Sequence, residues 1–419
     1  MRTAWVSIVG RADVRSAAIG FAAVAVLGFD DGGFFERSWG WAVLAFAALV
    51  ALALLLREEV VVGPLEWVSL AALAALAAWM LVSSAWGIPG TEGAREAERT
   101  LVYLAGLGAL LAVAEAGSVQ GLLAGVLSAT VALASYGLGD RVLGSPALDP
   151  FQSSLLNAPL GYANALGILA AVGLVIAFGS LVSERRRRLI GLVVAAAVVL
   201  GVALALTSSR GAWLSLACGL VVLGAMYPRR AHWHVGRRWI VVGAAAAVAV
   251  VLWLALTPHA GFGERPNYWR AAIADTRSHP ISGSGAGSFD DYWYAHRNSE
   301  ANVRDAHSLY LESLAELGPV GLLLVLGVLM PPLAAAGIAR SEPAVAVAAG
   351  GYSAFLVHAG LDWDWEMPAT TLAGLACGAA LLAAVRPVSR PLSIRARAAG
   401  VGAALALCVL ALIVVFVGP

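Results

Sequence analysis

Apolar runs long enough to cross a lipid bilayer recur from one end of this 419-residue chain to the other. A membrane-spanning helix needs about 20 mostly apolar residues. Because lipid offers no hydrogen-bond partners, each span must satisfy its own backbone groups as a helix. The sequence therefore predicts an all-α polytopic membrane protein, a single integral membrane domain over 1–419 with about 12–13 transmembrane helices. The predicted spans lie near 16–28, 39–56, 64–86, 100–115, 119–139, 158–182, 189–207, 211–226, 239–257, 319–338, 343–360, 368–386 and 396–417.

Composition supports a membrane chain, since 60% of the residues are hydrophobic and 13% are charged, against about 25% charged in soluble domains. No cleavable signal peptide is expected, because the first span lacks a clear small-residue cleavage site and further spans follow. The net charge of +1 and the lack of a basic, aromatic-interleaved motif argue against a nucleic-acid partner. Cys218, Cys377 and Cys408 fall inside predicted spans and are interpreted as packing residues.

Arginine predicts the orientation of the bundle, because cytoplasmic loops carry an excess of positive charge. All 27 basic residues are arginine. With a cytoplasmic N-terminus, most of them fall in inside segments, and the run 185–188 is the strongest anchor. The short outside loops carry only Arg37, Arg95, Arg99, Arg141 and Arg210. The sequence predicts a multi-pass protein of the cytoplasmic (inner) membrane with residues 258–306 outside.

Residues 258–306 form the one long connection, and loops of this length are usually functional or disordered. Tryptophan and tyrosine in this segment favour order. Residues 266–277 are predicted to form a short helix with Pro266 in its first turn. Glycines between 283 and 287 permit turns that a side chain would block.

The segment after this loop carries the pattern H-[NSQ]-x9-G-x-x-G, at His307, Ser308, Gly318 and Gly321. A helix that includes His307 would place both glycines below the imidazole, where another helix or a lipid tail could approach. A break is expected at the Gly318-Pro319 step, which leaves 307–317 at the outer interface. The alternative is an interfacial helix whose histidine and two glutamates are solvated.

Arg210 lies between two apolar spans in the segment Thr-Ser-Ser-Arg-Gly-Ala-Trp (207–213). A lone arginine there could extend to the lipid headgroups. Together with Arg265, Arg270 and His307 it forms a set of cations on one predicted face. Because the planar guanidinium donates in pairs and stays charged, such a set suits phosphate.

Four motifs occur in order: Ser-Ser-Arg-Gly-Ala-Trp around Arg210, Arg265 before Tyr268-Trp269, the Pro280…Gly283-Ser-Gly285 turn, and the His307 pattern. Together they resemble the O-antigen ligase and O-antigen polymerase superfamily of bacterial membrane proteins, over an O-antigen ligase-like region of about 200–370. The segment Asp-Trp-Asp-Trp-Glu (362–366) is similar to the actinobacterial-type members. Gly-Tyr-Ala-Asn (161–164) is a weaker similarity.

The resemblance implies a C-type glycosyltransferase-like architecture. It also implies glycan transfer from an undecaprenyl-diphosphate-linked donor to an acceptor hydroxyl at the outer face of the cytoplasmic membrane. The reaction would be inverting and metal-independent, would need no cofactor, and would use a glycan, lipid or protein acceptor. His307 would be the general base, while Arg210 and Arg265 would hold the diphosphate. The predicted substrate-binding residues are Arg270, Ser308, Tyr268, Trp269, Arg304 and Asp305.

Two other polar clusters have a structural interpretation that we favour. Asp362, Asp364 and Glu366 could hold a divalent cation through their oxygens, but acidic residues in water beside an interfacial tryptophan belt are expected. His232 and His234 could bind a metal, but a solvated basic loop near anionic lipid is expected.

Two competing functions stay open. A transporter would place ionisable groups near the membrane midplane, often in broken helices of two repeats, whereas nearly all charges here lie at span ends. Cell-shape and division peptidoglycan polymerases also combine a polytopic bundle with an outer loop, and their chemistry centres on a loop carboxylate. This chain has three such loop carboxylates, Asp290, Asp291 and Asp305, so this alternative stays open. Ligase and polymerase are not separable from the sequence.

Overall fold

The computed structural model describes residues 14–87, 92–115, 117–144, 152, 154–184, 186–227, 263–297, 300–386 and 391–417. Fourteen α-helices lie in these ranges. They are α1 (Val14–Gly28), α2 (Glu36–Leu56), α3 (Pro64–Ser83), α4 (Glu92–Val113), α5 (Val119–Leu143), α6 (Ala163–Ser183), α7 (Arg187–Thr207), α8 (Arg210–Met226), α9 (Arg265–Ser278), α10 (Phe289–His296), α11 (Leu309–Ile338), α12 (Pro343–Ala359), α13 (Pro368–Ala384) and α14 (Ile394–Val417).

The polytopic all-α prediction is confirmed. Among the described residues, seven helices are long and apolar enough to cross a membrane, and four shorter apolar helices accompany them. Each predicted span coincides with one of the fourteen helices, apart from the span at 239–257. That span, and the predicted basic loop with His232 and His234, lie outside the described residues.

The helices pack around α13, which is buried along its whole length. Helices α1, α4, α5, α11 and α12 contact it. Small residues dominate α13, and they allow the close helix approach that is typical of membrane interfaces. At the periphery, α14 packs against α2 and leaves most of its apolar surface exposed, as expected of a helix that faces lipid.

One end of the bundle collects arginines from segments predicted to be cytoplasmic. Arg386 donates to both the Glu66 carboxylate, at 2.7 Å, and the Leu111 carbonyl, at 2.9 Å. Arg57 and Arg397 donate to carbonyl groups at the ends of α4 and α2. Guanidinium groups thus satisfy the carbonyls that a helix C-terminus leaves open.

The other end of the bundle carries arginines that were predicted to lie outside. Arg95 pairs with Glu36 at 2.9 Å, and Arg99 pairs with Glu366 at 2.6 Å. The structure therefore sorts the arginines between two ends in the way that the sequence pattern predicts. That the end with Arg386 faces the cytoplasm stays a prediction.

The described part of the long connection is ordered and has its own small core. Helix α9 begins one residue before the predicted helix, with Pro266 in its first turn. A second helix, α10, packs beside it. The residues of this core are Tyr268, Ala272, Phe289, Trp293, Val303, Ala306 and Ala315. Because Ala315 belongs to α11, the core attaches the connection to a membrane helix.

Two glycines join the connection to α11 by direct backbone contact. Gly283 has φ +71°, and a Cβ there would lie 2.2 Å from the Glu316 carbonyl oxygen. Gly318 has φ +65°, and a Cβ there would lie 2.4 Å from the Ile281 carbonyl oxygen. The predicted break at Gly318 is present. Its predicted purpose was wrong, because the space beside Gly318 receives the 281–285 turn and not a further helix or a lipid tail.

The Glu316 side chain strengthens this joint. Its carboxylate accepts hydrogen bonds from the backbone N–H groups of Gly287 and Phe289, both at 2.9 Å. Its carbonyl accepts from Gly285 at 2.8 Å. The buried Glu316 therefore satisfies donors at the start of α10, and the interpretation of a solvated glutamate at this position was wrong.

Candidate functional site

His307 lies just before α11 and not on its face, so the helical-face prediction was wrong. Its φ is +55°, in the left-handed region, and α11 begins at Leu309. The physical cause is local: the Glu312 carboxylate accepts the Ala306 N–H at 2.7 Å and turns the chain back over the first turn. A non-glycine residue with this φ is uncommon and is often found at functional sites.

The geometry around the imidazole fixes its tautomer. Nδ1 lies 3.1 Å from the Asp305 carbonyl oxygen. Because a carbonyl only accepts, Nδ1 must donate, and in the neutral ring Nε2 keeps the lone pair. Burial lowers the pKa of His307 from its ordinary value, although the Asp362 carboxylate opposes this shift. A neutral ring with a free Nε2 lone pair can accept a proton.

Two aromatic residues of α9, both predicted to bind substrate, contact His307. The Tyr268 ring lies 5.2 Å from the imidazole, centroid to centroid, and it also packs edge-on against Trp293 at 4.9 Å. The Trp269 indole N–H donates to the His307 carbonyl at 3.4 Å. The Arg265–Tyr268–Trp269 motif therefore forms one wall of the histidine site.

Arg265, at the start of α9, forms an ion pair with Asp362. The same carboxylate accepts the Tyr162 hydroxyl at 2.8 Å and the Asn164 side-chain amide at 2.6 Å. Burial disfavours the charge on Asp362, but the Arg265 guanidinium together with His358 and His307 lowers its pKa below the ordinary value. The Gly-Tyr-Ala-Asn and Asp-Trp-Asp-Trp-Glu segments thus meet at Arg265.

The expectation that the 362–366 acids face water was wrong. Asp362 is 1% exposed, Asp364 is 2% exposed and Glu366 is 6% exposed. Each has a basic partner: Arg265 for Asp362, His358 Nδ1 at 3.1 Å for Asp364, and Arg99 for Glu366. Buried charge requires such pairing, which explains how this segment can leave the interface and pack inside.

Arg210 lies in the first turn of α8 and is partly buried. The preceding Ser209 caps the helix, since its hydroxyl accepts the Ala212 N–H at 3.3 Å. The following Gly211 packs against the imidazole of His358, which lies at the end of α12. Because Asp364 pairs with the same imidazole, Arg210 lies at the end of the bundle that also carries Arg265 and His307.

Of the remaining predicted residues, one lies beside His307 and two point outward. Ser308 is buried directly before α11, beside His307 in the chain. Arg270 lies on the exposed face of α9 and donates to the Pro266 carbonyl and the Asn267 side chain of its own helix. The Arg304 side chain is 67% exposed and lies 3.8 Å from Glu92. The structure therefore groups Ser308 with the histidine but gives Arg270 and Arg304 outward positions.

Asp305 belongs to a group of acids that the sequence did not predict. Its carboxylate and those of Glu312 and Glu366 have ligand atoms within 4.8 Å of one another. Burial and the neighbouring Glu366 carboxylate raise the pKa of Asp305 well above its ordinary value. Carboxylate oxygens at this separation could hold a divalent cation or share protons. Arg99 is the nearby cation, through its bond to Glu366.

His358 and Arg99 were missed as candidates. A signal existed for His358, because an ionisable residue inside an apolar span is expensive and is commonly functional. Arg99 was counted only as a topological marker, although its segment Glu-Ala-Glu-Arg (96–99) places a glutamate three residues before it on the same helical face.

Comparison with known families agrees with this geometry. The family model described as O-antigen ligase matches residues 195–326. The match begins before Arg210 and extends beyond His307, so it contains all three predicted catalytic residues. A search of curated proteins finds no match. The chain is therefore a multi-pass membrane protein whose residues 195–326 are similar to the O-antigen ligase family, and this similarity supports a glycosyltransferase-type enzyme of the O-antigen ligase and polymerase superfamily.

Proposed function

We propose that this protein transfers a glycan from an undecaprenyl-diphosphate-linked donor to the hydroxyl of a glycan, lipid or protein acceptor. The observation that carries the proposal is the position of His307 against the helix that begins with Arg265: the Tyr268 ring, one turn after Arg265, lies 5.2 Å from the imidazole. The Asp362 carboxylate pairs with Arg265, and its charge also raises the pKa of His307 against the larger effect of burial. The O-antigen ligase match over both residues supports the same reaction class.

In the proposed step, His307 Nε2 takes the proton of the acceptor hydroxyl. The acceptor oxygen forms a bond to the anomeric carbon of the donor sugar, and the bond from that carbon to the diphosphate oxygen breaks. The diphosphate leaves with the bonding electron pair, and a single displacement inverts the anomeric centre. No metal ion and no cofactor is invoked.

Arg210 and Arg265 would hold the diphosphate and stabilise the charge that grows on it as the sugar leaves. Arg265 is suited to this role because the contact with Asp362 uses one of its terminal nitrogens and leaves other N–H groups of the planar fork. The side chain is 21% exposed while Nε is buried, so the second terminal nitrogen is the donor that could reach a ligand. Tyr268, Trp269, Ser308 and Asp305 would line the site, with Arg270 and Arg304 further out toward the bulk of the glycan.

The test is reconstitution of the purified protein in nanodiscs with an undecaprenyl-diphosphate-linked oligosaccharide and a candidate acceptor. We expect transfer from the diphosphate donor and none from the same oligosaccharide on a monophosphate carrier. A single adduct would identify a ligase, and a ladder of products would identify a polymerase. Glycan-strand synthesis from a peptidoglycan precursor lipid, or solute uptake without transfer, would contradict the proposal.

We also propose that the site faces outward from the cytoplasmic membrane. Single cysteines at Arg186 and Ile281, which are both exposed, test this in a background with Cys218, Cys377 and Cys408 replaced by alanine. An impermeant maleimide added to intact cells should label position 281 and not position 186. Labelling at 186 alone would invert the topology.

A further inference from the structure

A groove of about 670 Å³ runs between α1 and α2 at the periphery of the bundle. The two helices follow each other in the chain, but α1 packs mainly against α5, whereas α2 packs against α4 and α14. The groove is therefore open along its side, where Val26 and Trp41 are exposed. Because α2 is long and apolar enough to cross a membrane, we expect this open side to face lipid.

The length of the groove matches one leaflet of a bilayer. Its lining along α2 extends from Arg37 to Leu49, which are twelve residues apart. That separation is about 18 Å of helix at about 1.5 Å per residue. One leaflet contributes about half of a hydrocarbon core that is about 30 Å thick. Apart from three residues at one end, the lining is apolar, so the groove has the length and the chemistry of a site for one acyl chain.

The three polar residues at the mouth of the groove are Asp30, Arg37 and Ser38. Arg37 donates to Asp31 at 3.2 Å and lies 3.7 Å from Asp30, and both contacts use the same terminal nitrogen. The three charged side chains are 46–69% exposed, so a ligand can reach them. The mouth thus combines one guanidinium, which has further N–H groups, with two carboxylates that exceed its charge.

A left-handed turn places Asp31 at this mouth. Its φ is +50°, and Gly32 follows with φ +71°. A side chain at Gly32 would collide with Met367, and the Phe34 ring packs against Trp363 at 5.5 Å. The turn is therefore fixed against the segment that follows Asp362. A non-glycine residue with positive φ is uncommon, and such strain is often found at binding sites.

We propose that this groove binds one glycerophospholipid with an ethanolamine-type headgroup. One acyl chain would lie between α1 and α2, while the second chain stays in the bilayer. The phosphate would accept hydrogen bonds from Arg37, and the ammonium group would donate to Asp30 and Asp31. Hydrogen bonds between ionised partners are the strong ones. A lipid diphosphate would bring only negative charge to the two carboxylates, so this site is distinct from the proposed donor site and does not rest on the proposed reaction.

The test counts the lipids that stay bound to the full chain in detergent, by native mass spectrometry. The probes are phosphatidylethanolamine and phosphatidylglycerol with identical acyl chains, because the second lipid has the phosphate but no ammonium group. We expect the wild type to bind the ethanolamine lipid about 10-fold more tightly, near the lower value for one hydrogen bond to a charged group. Equal binding of both lipids would overturn the proposal, because it would indicate an unselective lipid-facing surface.

A substitution inside the groove tests the acyl-chain site. Ala45 lines the groove and is exposed, so Ala45→Trp would fill the space with an apolar side chain. The variant should fold, because the new side chain points into lipid and not into the bundle. The matched control is Ala406→Trp on the exposed side of α14. We expect Ala45→Trp to lose retention of both lipids and Ala406→Trp to keep it. Retention in Ala45→Trp, or equal loss in the control, would overturn the groove as the site.

A substitution at the mouth tests the headgroup site. Asparagine adopts the left-handed conformation as aspartate does, so Asp31→Asn should keep the turn while it removes one carboxylate charge. The matched control is Asp291→Asn on the exposed side of α10. We expect the preference for the ethanolamine lipid to fall toward equal binding in Asp31→Asn and to stay at the wild-type value in the control. An unchanged preference in Asp31→Asn would overturn the ammonium assignment.

Discussion

Two arginines at opposite ends of the bundle, Arg386 and Arg265, differ in how fully their guanidinium groups are paired. At one end, Arg386 is 9% exposed and donates to the Glu66 carboxylate and to carbonyls at the end of α4. At the other end, the Arg265 side chain is 21% exposed and donates through one terminal nitrogen to one carboxylate oxygen of Asp362. Arg386 thus closes a helix end, whereas Arg265 keeps an N–H group that serves the diphosphate in the proposed function.

The same contrast holds for the buried acids. Glu66 is shared between Arg386 and the N–H of Gly63 at the start of α3, so its oxygens serve structure. The acids Asp305, Glu312 and Glu366 crowd together at the opposite end with Arg99. In the described part of the chain, a surplus of carboxylates therefore occurs at the end that carries His307, and this asymmetry supports the proposed site independently of any motif.

The largest expected effect is the loss of the base. His307→Ala should reduce glycan transfer by about 10²–10⁴-fold, the usual contribution of a positioned general base, with donor binding nearly unchanged. Turnover and geranyl diphosphate binding are measured on the same nanodisc preparation. If the alanine variant turns over at the wild-type rate, the base is another group, and Asp305 and Glu312 are the next carboxylates to replace.

The pH profile sharpens this prediction. Only the neutral imidazole accepts a proton, so activity is present above the pKa of His307 and is lost as the pH falls through it. Because burial lowers this pKa from 6.5, the acid limb should have its midpoint below 6.5. A limb centred above 6.5 would contradict the assignment. Rates between about pH 5 and 8 are compared with those of His307→Ala, which should lack this limb.

Replacing Arg386, whose guanidinium is fully paired, should lower the stability of the fold and leave turnover unchanged. Arg386→Ala leaves Glu66 buried without its partner, a change that typically costs about 3–5 kcal/mol. We expect a clear fall in thermal stability, with activity per folded molecule near that of the wild type. Stability is followed by thermal unfolding in detergent. Arg386→Ala with unchanged stability, or with folded but inactive protein, would remove the contrast between the two ends.

A smaller effect on stability and a selective effect on activity are expected at Arg210. Arg210→Lys keeps the charge but loses the paired geometry of the guanidinium. Transfer should fall by about 10–100-fold, the worth of one charge-assisted hydrogen bond, with expression and thermal stability retained. Full activity in the lysine variant would mean that Arg210 only reaches toward lipid headgroups.

No effect is expected from a chelator, because the proposed step uses no metal ion. Transfer is measured with and without EDTA, and Glu312→Gln serves as the matched variant for the acid group. Activity that EDTA abolishes and Mg²⁺ restores would instead assign the group of Asp305, Glu312 and Glu366 to a divalent cation.

Sequence periodicity predicted the helices well because each span must satisfy its backbone within itself. It also predicted α9, since Pro266 and the loop composition act locally. The surroundings of His307 were not predictable, because its left-handed φ depends on Glu312 reaching back to Ala306. A helical wheel assumes regular backbone, and it therefore placed the imidazole over glycines that serve a different contact.

Long-range pairing explains the other errors. Asp362, Asp364 and Glu366 lie beside tryptophans at the end of a span, which is typical of a wet interface. Their burial depends on partners far away in the chain, such as Arg99 and Arg265. A single sequence gives no measure of such pairing, so the motif predicted which residues are important but not where they lie.

The backbone joint between Gly283 and Gly318 has a mechanical consequence. A contact made by main-chain atoms has no rotatable side chain that could swing away, so the 281–289 segment should move with α11 as one rigid unit. Many transferases close a flap after the substrate enters. This segment would instead keep one position while the substrate of the proposed reaction enters and leaves. Rejection of a wrong donor would then occur on entry and not on closure.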